Sequence, residues 1–105
     1  MDIIRMHEKE GFVNPRGVTV KELYNVEATK IMNLTLRPGD HVPHHNVPVH
    51  VFFYIVEGTG TLQIGEEKAV VTEKDIIPCP PGTTMALWAD QGVAFSVLNV
   101  KSPRY

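Results

Sequence analysis

Apolar and polar residues alternate with a period of two along most of the chain. Met32, Leu34 and Leu36 fall on one side of a segment whose other side carries Asn33, Thr35 and Arg37, the pattern of a strand with one buried face. Gly17 to Val26 reads as a strand that follows the turn Asn14-Pro15-Arg16-Gly17, and Pro38-Gly39-Asp40 closes the strand after it. Val49 to Glu57 is almost wholly apolar and rich in β-branched and aromatic residues, so it is expected to be buried on both faces or packed at an interface. Thr61 to Ile64 and Ala69 to Thr72 flank Gly65-Glu66-Glu67-Lys68, read as a solvated hairpin loop. Ile76-Ile77 runs into Pro78-Cys79-Pro80-Pro81-Gly82, a break that no central strand tolerates. Thr84 to Ala89 and Val93 to Val100 form a last pair around Asp90-Gln91-Gly92.

No segment carries a capped helical stripe. About eight to ten short strands at this spacing predict an all-β sandwich or small barrel. With 105 residues the chain is long enough for one core without disulfides or metal staples, and it reads as a single domain, 1–105. Residues 1–12 are expected to be an arm that docks on the body or on a second copy.

Composition narrows the function classes without choosing one. The formal net charge of -2 supplies no basic face for nucleic acid. No apolar run reaches the length of a membrane span, the start MDIIRMHEKEG does not read as a secretory signal, and one cysteine cannot pair internally. The expectation is a cytoplasmic protein.

Chemistry concentrates between Pro38 and Gly60, where His41, His44, His45 and His50 fall within ten residues ahead of the apolar strand. Clustered neutral imidazoles suit a divalent transition metal. Elsewhere there is little to work with. Cys79 lies between two prolines and is expected to be a buried, inert thiol. No Ser-His-Asp arrangement, phosphate-binding glycine loop or pair of suitably spaced carboxylates stands out, and no catalytic residue is assigned.

The turns and motifs together resemble the cupin family of small jelly-roll β-barrels. The family's first motif is glycine, five residues, His-x-His, three or four residues, glutamate, six residues, glycine. Gly39 matches its first glycine, His45 its first histidine, and Gly58 within YIVEGTG its last glycine. The second motif is Pro-x-Gly, two residues, histidine, three residues, asparagine. Pro80-Pro81-Gly82 matches its start, and Lys74-Asp75 stands at the preceding turn. The resemblance covers roughly residues 28–100 and implies a cupin-type jelly roll of antiparallel strands.

The departures fall on the ligands. Val47 stands at the second histidine, Val51 at the glutamate, Met85 at the histidine of the second motif and Ala89 at the asparagine. Of the metal ligands implied by the resemblance, only His45 remains. On a regular strand His45 and Val47 would both point inward, with Val51, Phe53 and Ile55 further along and His50 outward. A bulge near Pro48 would instead turn His50 inward.

Two functional readings follow. In the first, the barrel binds a small, partly apolar molecule, with His45 as the polar anchor and Val47, Val51, Phe53, Met85 and Trp88 as walls, in a sensor, carrier or modulator role. In the second, His45 with His44 or His50 holds a divalent transition metal (Zn, Ni, Cu, Mn or Fe) for an oxygenase or isomerase. The apolar strand and the free arm further suggest a homodimer.

Overall fold

The computed structural model describes residues 1–105 as ten strands in two antiparallel sheets. The strands are β1 (Phe12–Val13), β2 (Thr19–Val26), β3 (Thr29–Leu36), β4 (His41–His45), β5 (His50–Glu57), β6 (Gly60–Ile64), β7 (Glu67–Val71), β8 (Ile76–Cys79), β9 (Met85–Trp88) and β10 (Phe95–Ser102). The six-stranded sheet has the order β1-β2-β3-β10-β5-β8, and the four-stranded sheet the order β4-β9-β6-β7. From β3 onward the chain crosses repeatedly between sheets, so that eight strands form the two interlocked Greek keys of a jelly roll. A 3-10 turn at Met6–Glu8 interrupts the arm, which is tied to the body where Lys21 Nζ donates to the Met6 carbonyl at 3.1 Å. No helix is long and apolar enough to cross a membrane.

Alternation decides the core. Val51, Phe53 and Ile55 of β5 point inward, as do Val97 of β10 and Met85 and Leu87 of β9. They pack with Leu36, Leu62 and Phe95 into one apolar cluster. The Pro78 break is tolerated because β8 is an edge strand, paired only with β5. The hairpin between β6 and β7 is tighter than expected. Its loop is Gly65-Glu66 alone, and Glu67 and Lys68 already belong to β7, opposite Ile64 and Gln63.

The turn from β3 to β4 is pinned locally. The Asp40 carboxylate accepts from the Arg37 backbone N–H at 3.0 Å and from Arg37 Nε at 3.1 Å. The side-chain bond first, and then the backbone one, hold its pKa below the ordinary carboxylate value of 3.8. Gly39, at φ 88°, takes the left-handed conformation the turn requires.

The outer face of the six-stranded sheet carries an apolar patch. One row of register partners reads Tyr24, Ile31, Val100, Phe52, Pro78 across five strands, and the adjacent row carries Leu98, Tyr54 and Ile76. The expectation for Val49 to Glu57 thus divides by face: one side is core, and the other joins a surface on which Phe52 and Ile76 are exposed.

Candidate functional site

The histidine segment does not converge. β4 gains one residue against β9: Val42 pairs with Leu87, but His45, three positions on, pairs with Met85, only two positions back. This bulge at Pro43-His44 leaves His44 on the outer face and sets both Val42 and His45 opposite inward residues of β9, but His45 is the last residue of β4 and lies at its open end. His45 is exposed, its Nδ1 3.0 Å from the carbonyl of its own neighbour Pro43. His44 lies on the outer face of the four-stranded sheet. Its Nε2 donates to Gln63 Oε1 at 3.0 Å, and Gln63 Nε2 in turn donates to the Gly65 carbonyl at 2.9 Å. The same imidazole meets the Trp88 ring edge-on at 5.6 Å. His50 is exposed on the outer face of the other sheet, opposite Ser102. It is outward as the regular alternation requires, and the bulge lies at Pro43 rather than Pro48.

The expected wall residues separate in the same way. Val47, Val51, Phe53 and Met85 are all buried. They close the interior by packing in the core, and Val47, Phe53 and Met85 line no cavity. Trp88 points away from them. Lys68 Nζ sits 4.3 Å from its ring centroid on the outer surface, a cation–π contact rather than a barrel wall.

The open space between the sheets lies elsewhere. A cavity of about 300 Å³ is lined by Leu62, Ile64, Glu67, Ala69 and Val71 of β6 and β7 and by Ile77 and Pro78 of β8. Its walls are apolar apart from the Glu67 carboxylate. Reading Glu67 as part of a loop tip hid it from the sequence. A two-residue turn at Gly65-Glu66 would have put Glu67, Ala69 and Val71 on one inward face.

Cys79 faces the interior and is buried, with its Sγ 3.5 Å from the Thr83 carbonyl. Burial pushes the thiol above its ordinary value of 9.0. It is therefore the reverse of an activated nucleophile.

A sequence profile described as a cupin domain matches residues 32–101, well over half of the chain. The chain belongs to the cupin family. No curated protein matches it. Three solved structures show how closely the cupin barrel is kept. An RmlC-like cupin from Shewanella frigidimarina superposes with a TM-score of 0.89 at 16% identity, covering 98% of this chain and 91% of that one. KdgF from a Halomonas species gives 0.90 at 19% identity, covering 100% and 96%. A protein from Thermotoga maritima described as a predicted oxalate decarboxylase gives 0.85 at 19% identity, covering 97% and 99%. At these identities the likeness is one of fold, and cupins with this fold differ in function.

The metal site that the cupin motifs imply does not fit this chain. No three His, Cys, Asp or Glu side chains come together anywhere in it. Val47, Val51 and Met85 occupy the other ligand positions with apolar side chains that are buried, and such groups supply no hard or borderline donor.

Proposed function

We propose that this cupin is a binding protein for a small, partly apolar molecule, in a carrier, sensor or modulator role, and that the ligand sits between the sheets at β6, β7 and β8. One observation carries the reading. The motif end of the barrel is packed shut by Val47, Val51 and Met85, while the remaining inter-sheet space is apolar with a single carboxylate. At about 300 Å³ that space is at the small end of ligand pockets, so it suits a compact apolar body with a donor directed at Glu67. The alternative, a metal-dependent oxygenase or isomerase at His45, lacks a convergent donor set.

Nuclear magnetic resonance titration with benzylamine tests the site. Shifts are expected at Leu62, Ile64, Ala69, Val71 and Ile77, and Ala69→Phe, which fills the space, should abolish them. Absence of those shifts, or undiminished binding by Ala69→Phe, would overturn the reading.

Assembly is the second part of the proposal. Tyr24, Val26, Phe52 and Ile76 are exposed, and their neighbours Ile31, Tyr54, Leu98 and Val100 are half-buried, so together they form a contiguous apolar surface of the kind found at association sites. A stable interface needs about 800 Å² from each partner. Val13, paired with Thr19 on the same outer side of the sheet, is also exposed and extends the surface. The occupant proposed is a second copy, packed sheet on sheet about a two-fold axis.

A further inference from the structure

One end of the barrel carries polar groups that the apolar cavity does not use. The inward side of β10 reads Val97, Asn99, Lys101. Their register partners are Leu34, Met32 and Lys30 on β3, and Ile55, Phe53 and Val51 on β5. Val97, Phe53 and Ile55 are fully buried, which fixes this as the interior face. Lys30 and Lys101 are therefore direct cross-strand partners on the same face, an arrangement that like charges make unfavourable.

Little nearby offsets it. Glu22 Oε1 approaches Lys30 Nζ at 3.9 Å, and that oxygen also accepts from Asn25 Nδ2 at 3.1 Å. Lys101 has no ion pair. Burial first, and then Lys30, lowers the affinity of its amine for a proton from the ordinary value of 10.5.

Asn99 adds a second and independent signal. It is only 4% exposed, and its Oδ1 is buried with no donor. Such orphaned acceptors are uncommon in folded proteins because they lose their bonds to water and gain nothing in return. The contrast with Asn33, the other deeply buried asparagine, is direct. Asn33 Nδ2 donates to Ser96 Oγ at 2.9 Å and to the Val97 carbonyl at 3.0 Å.

We propose that Lys30, Lys101 and Asn99 form an anion subsite for a small carboxylate that carries a neighbouring hydroxyl or N–H group. The carboxylate lies between the two ammonium groups and relieves their repulsion. The neighbouring donor satisfies Asn99 Oδ1, and Met32, Val51 and Phe53 form the apolar floor. Lys101 is two residues nearer the strand end than Asn99 and is only partly buried, so its side chain is the part of the subsite that solvent reaches. This subsite lies on β3, β5 and β10 and does not depend on the cavity at β6 to β8.

The test uses the full chain, with glycolate and acetate as probes and resonance titration to about 50 mM, where millimolar affinities are resolved. Glycolate should shift Lys30, Asn99 and Lys101, and acetate, which lacks the donor, should bind about tenfold more weakly. Lys101→Met should weaken glycolate at least tenfold while leaving the melting temperature equal or higher, because a repulsion is removed. Asn99→Leu should bring glycolate and acetate to the same affinity. Should Lys101→Met fail to fold, Lys30→Met reads the same loss. The proposal is overturned if glycolate leaves the three residues unshifted, if the variants bind both acids as the wild type does, or if acetate matches glycolate in the wild type.

Discussion

His45 and Met85 are register partners across β4 and β9, yet Met85 is fully buried and His45 is exposed, with its Nδ1 3.0 Å from the Pro43 carbonyl. Pairing usually gives two residues one environment. Here depth separates them: His45 is the last residue of β4, at the strand's exposed end, while Met85 lies inside the core. The methionine completes the core, and the one histidine that matches the ligand motif is spent on its own backbone.

Metal content follows from that separation. Protein purified without a tag should hold well under one equivalent of Zn, Ni, Cu, Mn or Fe, and His45→Ala should not change the amount. Elemental analysis is the measurement. Near-stoichiometric metal that disappears in His45→Ala would contradict the placement of His45.

Stability should divide between the same two positions. Met85→Ala removes a fully buried side chain and should cost about 2–5 kcal/mol. His45→Ala, at an exposed site, should stay within about 0.5 kcal/mol. Urea unfolding of both variants reads the difference, and equal costs would mean that His45 has a packing role not visible in its exposure.

Cys79 gives a pH dependence of definite sign. Its folded-state pKa lies above the ordinary 9.0 because burial disfavours the thiolate. The folded form therefore holds its proton longer than the unfolded one as pH rises. The associated stability is present below about pH 9 and is lost as pH climbs through the folded value. Cys79→Ser is not a clean control, since it adds a hydroxyl. Cys79→Ala should flatten the alkaline limb of stability against pH. In the wild type, thiol-reactive dye at pH 8 should label Cys79 at the rate of transient opening, and immediate labelling would show it to be accessible.

Assembly should fail when a charge enters the apolar row. Phe52→Glu or Ile76→Glu on the outer sheet face should yield monomer by sedimentation at micromolar concentration, with the circular dichroism spectrum unchanged. A wild type that is already monomeric there would remove the second copy from the proposal.

Much of the barrel was legible because strands declare themselves by period-two alternation and by proline and glycine at their ends. Met32, Leu34 and Leu36 share the inward side of β3, and β5 begins within one residue of its expected start. The site was less legible, since it depends on single-residue shifts of register. One extra residue in β4 turned His44 outward and left His45 opposite Met85 at the exposed end of the strand, and a hairpin loop two residues shorter than expected moved Glu67 to the edge of the cavity. Neither event alters hydropathy, so neither shows in the pattern. Trp88 was misplaced for a related reason: its neighbour Leu87 takes the inward position, and the indole must then face His44 and Lys68.

The cavity lies where two free sheet edges meet, β7 of one sheet and β8 of the other. Its boundary is a seam and not a rim of loops. Backbone hydrogen bonds join β7 and β8 to neighbours on one side only, so these are the strands most easily lifted. Ligand exchange would then be timed by the parting of the sheets, and a molecule held there would brace the seam. Slow dissociation and protection of the β7 and β8 amides from hydrogen exchange should accompany occupancy.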